Sequence, residues 1–170
     1  MKYRLAPLAA ALVLSACASS MGGPRAVAQL QGTTGSSVSG TVNFVQNGDK
    51  VMVSGEVRGL KPNAEHGFHV HEKGDCSSGD GMSTGGHFNP GGQPHGNHAD
   101  MAHHAGDIPS LKADANGVAT ISFESRTIAV GSGSTDIVGR GLIVHRDPDD
   151  YKTQPTGNAG PRLACAVIKS

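Results

Sequence analysis

Nine histidines dominate the chemistry available to this 170-residue chain, and five of them fall in one stretch. "HFNPGGQPHGNHADMAHHAGD", residues 87 to 107, carries His87, His95, His98, His103 and His104 with two aspartates and almost nothing that could pack a core. Such a clustered set of imidazoles points to a metal ion. His104 and Asp107 stand three residues apart, with Gly106 permitting a tight turn between them. Three histidines and one carboxylate would satisfy tetrahedral zinc, and bound metal would supply the folding free energy that a coreless loop cannot draw from apolar burial. A second group lies outside the loop. In "EHGFHVHE", His69 and His71 are two apart, so on a strand both rings share a face while Phe68 and Val70 share the other. In "GLIVHR", Leu142 and Val144 share one face and Ile143 and His145 the other. Two imidazoles side by side on a rigid strand can chelate one ion, although His-x-His alone reads more readily as a polar strand face.

The elements that must position these side chains read as strands. Apolar residues recur with a two-residue period in 37–46 and 50–59, which flank the turn "NGD", and again in 65–72, 117–124, 137–146 and 162–169. No window gives an amphipathic helix. Short strands, 25 glycines and recurring turns predict an all-β antiparallel sandwich or barrel. Two long polar segments interrupt this pattern, at about 73–110 and 146–161, and loops of that length in a small domain usually carry function.

The first sixteen residues read as an export leader. Lys2 and Arg4 precede the apolar run "LAPLAAALVL", which is too short for a stable bilayer span, and "LSAC" follows, ending at Cys17. "LSAC" resembles the lipobox of bacterial lipoproteins, which predicts a lipid-carrying Cys17 in the cell envelope or periplasm; an ordinary signal peptidase site nearby is the alternative. Residues 17–35 then read as a tether and 36–170 as the domain. With Cys17 set aside, Cys76 and Cys165 remain, and an oxidising compartment predicts one disulfide between them. Removing the two leader cations leaves a net charge of about −2 with histidines neutral. There is no basic run, so nucleic acid is not an expected partner.

The constellation as a whole goes further. "GFHVHEKGDC", "GGHFNP", "PHGN", "HHAGD" and "LIVHRDPDDYKTQPTGNAGPRLACAVI" resemble, in order and over about residues 37–170, the copper–zinc superoxide dismutase family. The resemblance implies a Greek-key β-barrel of about eight strands with a metal-binding loop and an electrostatic loop. It implies one copper and one zinc per subunit and superoxide as substrate. Carried over residue by residue, His69, His71 and His145 are implied copper ligands, and His87 the histidine shared by both metals. His95, His104 and Asp107 are implied zinc ligands. Arg162 would guide the anion, Asp149 would link a copper histidine to a zinc histidine, and Cys76 and Cys165 would form the family disulfide. His66 would be structural, and His98 and His103, without a family role, are expected to be exposed. Two departures stand out. The second loop is short and lacks the glutamate- and lysine-rich stretch of animal members, which makes Lys152 and Arg146 candidates for steering; the first loop is lengthened by "SSGDGMSTGG". An inert metal carrier on the same frame would be expected to lose a copper ligand or the arginine, and this chain keeps both. Monomer and homodimer are both open, as is a copper donor as partner.

Overall fold

A computed structural model describes residues 22–170, so the leader and the lipidation expected at Cys17 lie outside the described residues. Nine strands follow one another: β1 (Arg25–Gly32), β2 (Ser39–Asn47), β3 (Lys50–Arg58), β4 (Glu65–His66), β5 (Phe68–His71), β6 (Leu111–Lys112), β7 (Ala119–Ser125), β8 (Gly141–His145) and β9 (Arg162–Lys169). Seven of them form one antiparallel sheet in the order β5-β8-β9-β1-β2-β3-β7, and β4 pairs with β6. The chain leaves β3 near one edge, crosses to the opposite edge as β5, and returns beside β3 as β7. Those crossings are the Greek-key pattern expected from the sequence. The sheet curls so that alternate residues meet inside, and Phe44, Phe68, Leu142 and Ile168 are fully buried in the core.

The expected hairpin forms as read: Asn47 pairs with Lys50, and Gly48 takes a left-handed φ of 60° in the turn. Three expectations are corrected. The tether does not extend to residue 35, because Arg25–Gly32 is a strand bonded to both β2 and β9. Its inward residues Ala26, Ala28 and Leu30 are buried with a two-residue period. That signal was present in the sequence but carried by small side chains. The strand expected at 65–72 is two strands, divided at Gly67, with β4 turned to β6 and β5 to β8. The strand expected at 137–146 begins only at Gly141, since a turn at Ile137–Arg140 precedes it.

β5 is an edge strand, and an unpaired edge is an exposed row of polar backbone groups. Here the first long loop covers it. Val70 donates its N–H to Gly106 O (3.0 Å) and accepts from Phe88 N–H (2.9 Å), while Glu72 N–H donates to Gly86 O (2.9 Å). Gly106 is required for this approach, because a Cβ there would lie 2.2 Å from Val70 O. The histidine-rich loop is therefore laminated onto the strand that carries His69 and His71. The Cys76–Cys165 disulfide forms as expected, tying the start of that loop to β9 across 89 residues of sequence. Closing a loop of that size contributes about 4–5 kcal/mol on the chain-entropy account.

Candidate metal centre

On β5, Phe68 and Val70 join the core and the two histidines take the other face. On β8, Leu142 and Val144 do the same, leaving His145 beside the β5 histidines. The loop brings His87 over the edge of β5, where it bridges His71. His69, His71, His87 and His145 thereby place one ring nitrogen each within 4.8 Å of one another, and all four are buried. His87, His95, His104 and Asp107 form a second buried group on the same criterion, and His87 belongs to both. The seven side chains singled out in the sequence meet in one place.

Which nitrogen of each ring faces inward follows from what holds the other. His71 Nδ1 donates to Gly85 O (3.0 Å) and His145 Nδ1 to Gly160 O (3.1 Å), so their Nε2 atoms turn toward each other, 3.4 Å apart. A carbonyl only accepts, so both rings are fixed with the proton on Nδ1 and a lone pair on Nε2. His69 Nε2 and His95 Nε2 are held by the two oxygens of Asp149, at 2.7 and 2.9 Å. Their Nδ1 atoms are left free to face the groups. Asp149 also accepts from Tyr151 N–H (2.7 Å). Gly157 packs against it so closely that a Cβ would lie 1.8 Å from Asp149 Oδ1. In the second group, Asp107 Oδ2 is fixed by the N–H groups of Gly96 (3.1 Å) and His104 (2.9 Å). Its Oδ1 meets Nδ1 of His87 (2.8 Å), His95 (3.1 Å) and His104 (3.3 Å).

The donor set fits metal ions. His69 Nδ1, His87 Nε2 and His95 Nδ1 are buried without a hydrogen bond, the last approaching Asp107 Oδ1 only as an ion-pair contact. An orphaned buried polar atom costs about 1–3 kcal/mol, yet here the three belong to groups of converging donors whose outer nitrogens are already satisfied. That is how ligating histidines are oriented. The all-imidazole group suits copper, and the group with one carboxylate suits tetrahedral zinc.

The electrostatics keep lone pairs available. Burial pushes His71 well below its ordinary value, and the neighbouring His87 and His145 add to the effect. Burial likewise takes His87 down to about 4, although Asp107 opposes it, and His145 down to about 3 with help from His69. Burial also works against the charged form of His95, but the carboxylates of Asp107 and Asp149 outweigh it and raise the ring to about 9. Both carboxyls are penalised by burial and yet held far below the usual range by the histidines bonded to them. The consequence for the metal-free protein has a definite sign. His71, His87 and His145 bind fewer protons folded than unfolded, so the stability they allow is lost as pH falls below about 6.5. His95 binds more protons folded, and its contribution is complete below about 6.5 and lost as pH rises through about 9. The melting temperature of metal-free protein should therefore peak near pH 6.5 and fall more steeply on the acid side, where three groups act against one. A profile flat from pH 4 to 7 by calorimetry would contradict this.

Arg162, at the start of β9, is gripped by the lengthened part of the first loop. Its Nη1 donates to Gly81 O and to Thr84 Oγ1 (2.7 Å), and Nη2 to Gly85 O (2.7 Å), the carbonyl that also holds His71. The guanidinium is thus referenced to the same backbone as that histidine. Of the steering candidates, Arg146 is drawn into an ion pair with Asp147 (2.8 Å), so its charge is largely offset, while Lys152 is exposed. His66 donates from Nδ1 to His145 O (2.9 Å) and joins neither group, in keeping with a structural part. His98 is exposed, as expected. His103 is corrected: it is only 7% exposed, because its Nδ1 donates to His104 O (2.6 Å) and folds the ring under the loop. The sequence reading missed Thr84, Gly85 and Gly160, two of which act through carbonyls that every residue possesses.

Comparison with known proteins places these features in a family. The profile of copper/zinc superoxide dismutase (SODC) matches residues 38–168. A protein of Paramecium bursaria Chlorella virus 1 named superoxide dismutase [Cu-Zn] is 44% identical over 149 residues, covering 84% of this chain and 76% of its own. One of Saccharomyces cerevisiae with the same name is 45% identical over 152 residues, covering 85% and 96%. Among solved structures, a crystal structure of the clock protein EA4 superposes with a TM-score of 0.78 at 42% identity, covering 86% of this chain and 94% of that one.

Proposed function

The chain belongs to the copper/zinc superoxide dismutase family, and from that premise we propose that His69, His71, His87 and His145 hold its copper and that His87, His95, His104 and Asp107 hold its zinc. The activity is dismutation: two superoxide radicals and two protons give one dioxygen and one hydrogen peroxide. When bound, copper supplies the one-electron redox chemistry and zinc a fixed positive charge.

The protein's own groups account for the rest. His87 is the only ring in both groups, with Nδ1 toward the carboxylate group and the unpartnered Nε2 toward the other histidines. A ring so placed can hold a proton at Nε2 and release it to the reduced oxygen species, and a pKa of about 4 before any metal binds means that it arrives neutral. Arg162 supplies a permanent cation for docking a small anion, held in one orientation by its three acceptors. Burial of His69 and His71 excludes bulk water from behind the reacting centre. The observation that carries this reading is the pair of four-residue groups sharing one ring, with their outer nitrogens tied to carbonyls and carboxylates. It is tested by metal content. Loaded protein should hold one ion of each metal, His71→Ala should lose copper and keep zinc, and His95→Ala should lose zinc and keep copper. The reverse pattern, or no loss in either variant, would refute the assignment.

We also propose that the protein is exported and anchored through lipid on Cys17, with residues 1–16 removed, so that it disposes of superoxide in a bacterial cell envelope. The order of charge, apolar run and "LSAC" supports this, as does a disulfide of the kind that persists in oxidising compartments. Cys17→Ser should abolish fatty-acid labelling in cells and release the protein from the membrane fraction; labelling that survives the substitution would rule the anchor out.

A further inference from the structure

The short second loop makes one contact with the first that the ligand assignment does not use. Gln154 reaches across from 146–161 and pairs its carboxamide with both backbone groups of His95: His95 N–H donates to Gln154 Oε1 (2.8 Å), and Gln154 Nε2 donates to His95 O (2.9 Å). The second Nε2 hydrogen is directed to Lys152 O (3.4 Å). The amide is thus assigned in one orientation, because only that orientation matches an N–H and a C=O at once. The loop is built to present it. Asp150 accepts from the N–H groups of Lys152 (2.9 Å) and Thr153 (2.8 Å) and from Thr153 Oγ1 (2.6 Å), which closes the turn just before Gln154. Asp149 stands just before Asp150 in the same turn, so one short segment holds the His95 ring through Asp149 Oδ1 and the His95 backbone through Gln154. His95 lies in a stretch without strand pairing, between Pro94 and Gly96, where the adjacent tie is Gly96 N–H to Asp107 Oδ2 (3.1 Å).

We propose that Gln154 is a positioning residue for the zinc site, acting as a two-point clamp on the backbone of His95 that fixes where its Nδ1 meets the metal. The proposal rests on the assignment of His95 as a zinc ligand. A ring held only at Nε2 can still pivot about that bond; fixing the backbone as well removes the pivot. The short second loop thus fastens this ligand with one side-chain amide. The clamp touches neither Arg162 nor the copper-side rings, so its removal should act on zinc far more than on copper.

The test uses the protein loaded with copper and zinc and measures release of each ion to a chromogenic chelator. Zinc should leave Gln154→Ala about tenfold faster than wild type, the lower end of what outer partners of metal ligands contribute. Gln154→Glu keeps the acceptor for His95 N–H and should fall between the two. Copper release and the position of the visible copper band should stay at wild-type values. With cobalt in place of zinc, the ligand-field bands of Gln154→Ala should shift, which loosening remote from the site would not produce. Lys152→Ala removes an exposed side chain from the same loop, leaves the turn at Asp150 and the Gln154 carboxamide in place, and is the control. Zinc release from Gln154→Ala within about twofold of wild type, or equal acceleration in Lys152→Ala, would overturn the proposal. His95→Ala separates the two levels of failure. If it retains zinc, the ligand assignment falls and the clamp with it; if it loses zinc while Gln154→Ala behaves as wild type, only the clamp falls.

Discussion

Replacing His87 with alanine should lower superoxide consumption by roughly a hundredfold or more. Loss of an outer partner that merely orients a ligand already costs about 10–100-fold. His87 is a member of both four-residue groups, so its removal opens both at once. It also deletes the one ring nitrogen that lies on the copper side while its partner faces Asp107, 2.8 Å away. His87 is not a member of the apolar core, so the metal-free fold should survive. The measurement is consumption of a superoxide pulse by metal-loaded protein in excess chelator, with circular dichroism to check the fold. Activity within about tenfold of wild type would mean that the two groups work independently of the shared ring.

Asp149→Ala should weaken both metals together, by about 10–100-fold each. One carboxylate holds His69 at 2.7 Å and His95 at 2.9 Å, so the two groups are joined a second time, behind the rings. Its acidity is displaced well below the usual carboxylate range because those two histidines stabilise the charged form against the penalty of burial. Without it, two buried Nε2 atoms lose their acceptor and both rings can turn. Asp149→Asn keeps one acceptor oxygen but sets an amide against the other ring, so it should lie between wild type and alanine. Chelator competition followed separately for copper and zinc reads the result. A variant that loses affinity for one metal only would show that the carboxylate serves a single group.

The site was more legible in the sequence than the frame around it. The His-x-His of β5 and the "LIVH" of β8 report their facing through strict alternation, and the register Phe68–Val144 to His71–Gly141 brings the two together as that alternation requires. The candidate ligands of the loop were legible as a family pattern and as residue types, but their convergence depends on Gly106 meeting Val70 O, a tertiary contact with no local signature. β1 was hidden because Ala26 and Ala28 are weak markers of a strand, and because two neighbours, β2 and β9, decide its conformation from far along the chain. His103 shows the converse. Its neighbours are polar and small, which reads as exposure, yet a single bond to the next residue's carbonyl turns the ring inward. The carbonyls of Gly85 and Gly160 and the amide of Gln154 carry no sequence signal, since nothing distinguishes them until two loops have been brought into contact.

The most direct test of the whole account is superoxide consumption by the chain loaded with one copper and one zinc, in a chelator excess that silences free copper, compared with His145→Ala prepared in the same way. His145 contributes Nε2 to the copper group alone, opposite His71. The wild-type protein should consume superoxide rapidly and catalytically while the variant falls to the chelated-copper baseline. Consumption by wild type no faster than that baseline, or undiminished in His145→Ala, would contradict it.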